Sequence, residues 1–147
     1  MPAHSDDPFD LKRFVTAQDR MYDVAIRELK AGAKKSHWIW YLFPQVAGLG
    51  SSAMSHRYAI RSKDEAKAYL AHPVLGSRLV ECANALLTVT GKRVEDIMGS
   101  PDDLKLRSSM TLFAAVSAPD SPFQAVLDRF FGGKKDPLTE KFLKEHE

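Results

Sequence analysis

The apolar positions of this chain recur at the period of an α-helix. In the first run they follow three- and four-residue steps from Leu11 through Gln18 to Leu29, and Gly32 marks the end. The pattern predicts a first amphipathic helix that ends near this glycine. Its opposite, charged face carries Lys12, Arg13, Asp19, Arg20, Asp23, Arg27 and Glu28.

Helix starts are marked by a capping residue followed by proline, whose missing donor would be unpaired there anyway. Such pairs are Asp7-Pro8, Ser100-Pro101, Ser121-Pro122 and Asp136-Pro137, with His72-Pro73 as a fifth, poorer cap. Ser62 and Glu65 form a capping box, and Ser36 is expected to cap a short helix over residues 37–42. Further helices are predicted over residues 63–71, 74–89, 94–98, 102–116, 123–131 and 138–145.

The sequence contains no alternating strand pattern and no internal repeat. We therefore expect an all-α fold, a single-domain multihelical bundle of about six to eight helices. The domain would cover residues 1–147, with flexible ends at 1–6 and 146–147. Residues 43–55 are the main irregular stretch, and Gly48 and Gly50 predict a flexible loop there.

Composition narrows the class of protein. With 44% apolar and 27% charged residues, the chain has the balance of a globular domain. No apolar run approaches the roughly 18 residues of a spanning helix, so we expect no membrane partner. The polar, acidic start "MPAHSDDPFD" predicts no signal peptide and a cytoplasmic location. The single cysteine, Cys82, is expected to be a buried, unreactive thiol.

Charge and motifs exclude several chemistries. The net charge of +2 and the pI of about 8.7 do not indicate duplex DNA binding, so nucleic acid is not an expected partner. The sequence has no glycine-rich phosphate loop, no His-Glu-x-x-His and no paired Cys-x-x-Cys, and its five histidines lack ligand spacing. We therefore predict neither a cofactor nor a metal.

Residues 34–45, "KKSHWIWYLFPQ", place both tryptophans beside cations. Trp38 and Trp40 would serve as ordinary core anchors in a small helical domain, and this is the favoured interpretation. Aromatic faces beside Lys35 and His37 also suit a base or a sugar phosphate. Gln45, in the following turn, would then read a polar edge of the ligand.

The helix predicted over residues 102–116 carries a polar stripe. Asp103, Arg107 and Thr111 step by four along one face, with Ser108 adjacent. The guanidinium of Arg107 suits phosphate or carboxylate, and the two hydroxyls add hydrogen-bonding groups. The alternative is an Asp103–Arg107 ion pair on a solvated face.

A third candidate is Gln18 with Tyr22 on the first helix. Gln18 lies in the apolar stripe, so its amide either ties helices together or faces a lined cavity, and tying is favoured. Arg57 and Tyr58, which follow the glycine loop, fit either arrangement.

Four motifs together resemble one family: "DPFDLKRFVTAQ", "KKSHWIWYLFPQVAGLGSSAMSHRYAI", "AYLAHPVLGSRLVEC" and "SPDDLKLRSSMTLFAAV". Over residues 7–142 the chain is similar to the bacterial family catalogued as domain of unknown function 1810. The resemblance implies a mostly helical single domain and supplies no activity, cofactor or catalytic residue. Some members carry the label calpastatin, but calpastatin acts through long disordered segments, unlike this periodic pattern.

The shared motifs coincide with the candidate sites. The positions they contain are Gln18, Tyr22, His37, Trp38, Trp40, Gln45, Arg57, Tyr58, Asp103, Lys105, Arg107, Ser108 and Thr111.

These features favour a site for an anionic, aromatic small molecule, with a nucleotide or an ADP-ribose-like compound as the favoured ligand. Arg107, Ser108 and Thr111 would hold phosphate, and Trp38 or Trp40 would stack a base. If the site is catalytic, hydrolysis of a glycosidic or phosphoester bond is the simplest chemistry. Asp103 or His37 would then be the general acid or base.

Two other functions remain open from the sequence. A non-enzymatic interaction module would expose the aromatic residues as a patch, through which the chain would also form homo-oligomers. Weak nucleic-acid binding would use Lys34, Lys35, Arg57 and Arg61.

Overall fold

A computed structural model describes residues 7–146, which form nine helices. They are α1 Lys12–Ala31, α2 Ile39–Leu42, α3 Ala53–Arg57, α4 Lys63–Ala71, α5 Leu75–Leu87, α6 Val94–Met98, α7 Asp102–Ala115, α8 Pro122–Phe131 and α9 Pro137–Glu145. The predicted all-α single domain is confirmed. Of the predicted flexible ends, residues 1–6 and 147 lie outside the described residues. The ring of His146, the remaining residue of these ends, stacks on Phe142 with the ring centroids 4.1 Å apart. Within the described part, no helix has the length and apolar character needed to cross a bilayer.

Most predicted caps form. Ser62, Ser121 and Asp136 each accept a hydrogen bond from the amide three residues later. The His72 ring also caps, because its Nδ1 accepts from the amides two and three residues later at 3.1 and 3.2 Å. Asp7 reaches the amides four and five residues later, at 2.7 and 3.0 Å, and so caps the first helix across a short turn.

Two predicted caps are wrong. Ser36 does not cap α2, because its hydroxyl donates to Glu28 at 2.6 Å. Ser100 does not cap α7, since the amide of Asp103 donates to the carbonyl of Gly99 at 2.9 Å. At α7 a backbone carbonyl thus accepts from the amide that the capping rule would pair with Ser100, and before α2 the Ser36 hydroxyl bonds to α1 instead.

Helix α7 is the centre of the core. Leu106, Met110 and Phe113 on this helix have no exposed surface. Trp38 and Phe43, which flank α2, are also fully buried, with ring centroids 6.1 Å apart. Trp38 therefore has the core-anchoring role that the sequence favoured for the tryptophans.

Residues 46–60 form a loop that is closed at its base, named the 46–60 loop below. Val46 and Ile60 form a parallel bridge, and the amide of Ile60 donates to the carbonyl of Gln45 at 2.8 Å. Inside the loop, Ser52 caps the five-residue helix α3. The sequence predicted irregular chain through the first part of this helix, because Gly48 and Gly50 indicated a loop over residues 43–55.

Arg13 fastens the end of this loop to α1. Its guanidinium donates to the carbonyls of Arg57 and Ala59, both at 2.8 Å, and pairs with Glu65 at 2.8 Å. The two paired side chains are only 9% and 4% exposed. The periodic pattern placed Arg13 on the charged face of α1, and the loop that folds over this face buries it.

Candidate functional site

A surface cleft of about 330 Å³ lies between the 46–60 loop, α7 and the start of α9. The segment at the base of the loop contributes Gln45, and α7 contributes Lys105, Arg107 and Ser108. These four residues come from the two stretches, far apart in sequence, that carried the strongest candidate motifs. The structure thus brings the amide and the two cations to one place.

Both cations in the cleft are only loosely paired. Lys105 Nζ lies 3.6 Å from Asp102, and Arg107 lies 3.7 Å from Asp136. The ammonium group of Lys105 also lies 5.0 Å from the centroid of the Trp40 ring. Since these ion pairs are long and partly exposed, both cations keep donors for an incoming anion.

The rim of the cleft is apolar. Leu104 on α7 is 53% exposed and Leu138 on α9 is 60% exposed, although both are large hydrophobic residues. Leu49 of the 46–60 loop also lines the cleft. An apolar rim with a few convergent polar groups is typical of small-molecule sites.

The hydroxyls predicted to hold phosphate already have partners within the protein. Ser108 donates to the carbonyl of Leu104 at 3.1 Å. Thr111 is 1% exposed, donates to the carbonyl of Arg107 at 2.8 Å and accepts from the amide of Asp136 at 2.9 Å. Thr111 therefore fixes the start of α9 against α7.

The two candidates for acid–base chemistry do not line the cleft. Asp103 is 7% exposed, and its Oδ1 has no partner among the described residues. The expected Asp103–Arg107 ion pair does not form, because Arg107 pairs with Asp136. His37 is exposed on the segment before α2. The cleft therefore has cations that can bind an anion but neither of the predicted acid–base residues, and the carboxylate that lines it, Asp136, pairs with Arg107.

A smaller cavity of about 80 Å³ lies inside the 46–60 loop. Trp40, Gln45 and Tyr58 line it, so it adjoins the cleft at the shared Gln45. The indole Nε1 of Trp40 is buried without a partner among the described residues. The volume accommodates a few water molecules and is far below the range of roughly 300–1,000 Å³ for ligand sites.

Glu28 organises the aromatic and cationic stretch, a role that its place on the charged face of α1 did not predict. One carboxylate oxygen accepts from the amides of Lys35 and Ser36 at 2.9 and 3.0 Å and from the indole of Trp38 at 2.9 Å. Burial alone would raise the pKa of Glu28, but these donors and the Ser36 hydroxyl outweigh it and lower the pKa to about 2.

Replacing Glu28 with glutamine is expected to destabilise the fold by about 1–2 kcal/mol at neutral pH, because charge-assisted hydrogen bonds are lost. The folded-state pKa lies below the usual 4.5. The carboxylate therefore stabilises the fold above that pH, and its contribution falls as the pH drops toward about 2. Urea unfolding at pH 7 and pH 3 measures the difference, with the exposed Glu140→Gln as control. A pH-independent difference would contradict the electrostatic role.

Gln18 and Tyr22 lie away from the cleft. Gln18 is fully buried and donates to the Tyr41 carbonyl at 2.7 Å and to the Tyr69 hydroxyl at 2.9 Å. The Tyr22 hydroxyl donates to Glu81 on α5. Both residues tie α1 to its neighbours, which is the role the sequence favoured for Gln18.

The remaining candidates are also separate from the cleft. Lys35 is exposed beside the Glu28 hydrogen bonds, and Arg57 is exposed next to the first half of α1. Tyr58 is buried and packs edge-on against Tyr41 at 5.4 Å. The predicted residues thus divide among several places. Gln45, Lys105, Arg107 and Ser108 meet in the cleft, and Arg57 and Tyr58 line a separate hollow beside α1.

Comparisons with known proteins agree with the motifs. A family model described as "Protein of unknown function (DUF1810)" matches residues 8–143. The chain is also similar to the conserved hypothetical protein Rv1873 from Mycobacterium tuberculosis. The two sequences are 51% identical, and the match covers 94% of this chain and 99% of the Rv1873 chain. The crystal structure of Rv1873 superposes on this structure with a TM-score of 0.92. No curated protein shows significant similarity. The chain therefore belongs to the DUF1810 family.

Proposed function

We propose that the chain binds a small anionic compound with an aromatic ring in the cleft between the 46–60 loop and α7. The observation that carries this proposal is the pair of loosely held cations, Lys105 and Arg107, beside an apolar rim. The anionic group would lie against Arg107, and the ring would pack on Leu104 and Leu138. Gln45 would hydrogen-bond a polar edge of the ring.

The size of the cleft limits the ligand. Its volume of about 330 Å³ is at the lower end of the range of roughly 300–1,000 Å³ for ligand pockets. A mononucleotide or an aromatic carboxylate fits this range better than an ADP-ribose-like compound. Binding without turnover is favoured, because Asp103 and His37 do not line the cleft.

Arg107→Gln is expected to weaken binding of a mononucleotide about tenfold, because one charge-assisted hydrogen bond is lost. Arg93→Gln is the matched control, since Arg93 is 74% exposed and outside the cleft. Thermal shift with nucleoside monophosphates and aromatic carboxylates, followed by calorimetric titration of each compound that shifts the melting temperature, measures the effect. Absence of any shift across the panel, or an equal loss in both variants, would overturn the proposal.

The interaction-module alternative depends on a different surface from the one expected. Trp38 and Phe43 are fully buried and Tyr41 is 7% exposed, so these aromatic residues do not form an exposed patch. Leu104 and Leu138 are the two most exposed large apolar residues among those described, and they favour a protein partner at the cleft. Sedimentation that depends on protein concentration would support an interface between copies of the chain, provided that Leu138→Gln removes this dependence.

A further inference from the structure

A second surface, separate from the cleft, is strongly basic. Two adjoining hollows of about 510 and 550 Å³ border the first half of α1 and the end of α3, and they share Asp10, Arg13 and Arg57. Together they are named the basic groove below. Its charged residues are Lys12, Arg13, Arg20, Arg57, Arg61, Asp10 and Glu65.

The groove concentrates the positive charge of the chain. Its five basic and two acidic residues give a net charge of +3, which exceeds the +2 of the whole chain. The buried pair of Arg13 and Glu65 cancels within the floor of the groove. The remaining cations therefore face a single uncompensated carboxylate, that of Asp10. Such a surplus attracts anions over a distance of roughly a Debye length, about 8 Å at physiological salt.

The cations at the rim are available to a ligand. Lys12, Arg20 and Arg57 are exposed, and within residues 7–146 none of them forms an ion pair. Arg61 is exposed as well and gives one hydrogen bond to the carbonyl of His56 at 3.2 Å. Arg13 differs, because its donors are already used by Glu65 and by backbone carbonyls. It builds the floor, and the other cations are left for an anion.

We propose that the basic groove binds a compound with two or more linked phosphate groups. From Lys12 to Arg20 the cations extend along α1 by about 12 Å, at 1.5 Å per helical residue. Linked phosphates can therefore contact several cations at once, whereas a single orthophosphate reaches one or two. Arginine is suited to this role because its planar fork donates two parallel hydrogen bonds to phosphate.

Linked phosphates fit the groove better than single-stranded nucleic acid. When a protein binds single-stranded nucleic acid without sequence preference, much of the affinity comes from bases that stack on open aromatic faces. Here Tyr41 and Tyr58 are each 7% exposed and pack against one another, and the Arg57 guanidinium lies 5.7 Å from the centroid of the Tyr58 ring. An acidic peptide would carry one charge per carboxylate and would have to be ordered along the groove, at a cost in conformational entropy.

Calorimetric titration with inorganic tripolyphosphate tests the proposal directly. We expect saturable binding at least about tenfold tighter than that of orthophosphate, and weakening between about 50 and 200 mM salt. Arg57→Gln and Arg20→Gln should each weaken the binding about tenfold. Arg27→Gln is the control, because Arg27 is exposed on the same helix but does not line the groove. The affinity of Arg27→Gln for tripolyphosphate should stay within about twofold of the affinity of the unaltered protein.

Further titrations identify the source of the phosphates and separate the two sites. Tighter binding of adenosine triphosphate than of tripolyphosphate would assign the groove to a nucleotide, and equal binding would assign it to the phosphates alone. Arg107→Gln should leave tripolyphosphate binding unchanged, so failure of the cleft does not imply failure of the groove. No saturable tripolyphosphate binding below about 1 mM, an equal loss in Arg27→Gln, or tighter binding of an oligonucleotide or polyglutamate would overturn the proposal.

Discussion

Replacing Arg13 with methionine is expected to lower the free energy of unfolding by about 3–5 kcal/mol at neutral pH. Methionine keeps most of the apolar stem but removes every donor. The carboxylate of Glu65, whose side chain is 4% exposed, then loses its ion pair, and the carbonyls of Arg57 and Ala59 lose their hydrogen bonds. Breaking a buried pair by removing one partner is costly because the other charge stays in a poorly solvated place.

Urea unfolding of three further proteins gives the comparison for Arg13. Arg27→Met removes an exposed arginine from the same helix and should change stability by less than about 0.5 kcal/mol. Glu65→Gln, alone and combined with Arg13→Met, completes a double-mutant cycle, and the combined variant should recover part of the loss. In Arg13→Met, hydrogen exchange should also quicken at the amide of Ile60, which donates to the carbonyl of Gln45 at the base of the 46–60 loop. A loss in Arg13→Met below about 1 kcal/mol would show that the pair contributes little.

Replacing Gln18 with leucine is expected to destabilise the protein by about 2–3 kcal/mol, although leucine suits the apolar stripe of α1 by size and polarity. The substitution removes the donor of the 2.7 Å hydrogen bond to the Tyr41 carbonyl and of the 2.9 Å bond to the Tyr69 hydroxyl. Burial raises the pKa of Tyr69 well above its ordinary value, so its hydroxyl keeps its proton. That hydroxyl already lies 3.4 Å from the Tyr41 carbonyl and can compensate for part of the loss.

The role of Gln18 is tested by chemical unfolding of the single variants and of the pair. Tyr69→Phe removes a second hydroxyl partner of the same network, so the loss in Gln18→Leu/Tyr69→Phe should be smaller than the sum of the single losses. Gln18→Glu should also destabilise the protein, because a carboxylate has no donor for the Tyr41 carbonyl, although Arg78, which donates to Gln18 Oε1 at 3.4 Å, would compensate for part of the loss. If Gln18→Leu left stability unchanged or raised it, the amide would not be the tie between helices that its contacts indicate.

Arg13 also connects stability with the candidate sites. It fixes the end of the 46–60 loop, and this loop borders the cleft on one side and contributes Arg57 to the basic groove on another. Arg13→Met should therefore weaken ligand binding at both sites, while Arg57→Gln and Arg107→Gln should each affect one. Calorimetric titrations on the three variants compare these effects.

The local sequence determined most of the helical architecture. The periodic apolar positions predicted α1, and capping residues followed by proline marked the starts of α8 and α9 correctly. These signals operate within about four residues, so the amino-acid order alone contains them. The start of helix α3 was missed because it lies in the stretch that Gly48 and Gly50 marked as a loop. The sequence also indicated the two stretches that supply Gln45 and Arg107 to the cleft.

Tertiary packing decided what each polar side chain does. Arg13 and Glu28 belong to the charged face of α1 by pattern, yet one pairs with Glu65, 52 residues away, and the other binds the amides before α2. Thr111 was a candidate ligand group, but it accepts from the amide of Asp136, 25 residues away. A helical pattern specifies which face turns inward and not which segment covers the other face. The partner of a polar group is fixed only when distant segments meet, because a buried donor or acceptor must then be satisfied where it lies.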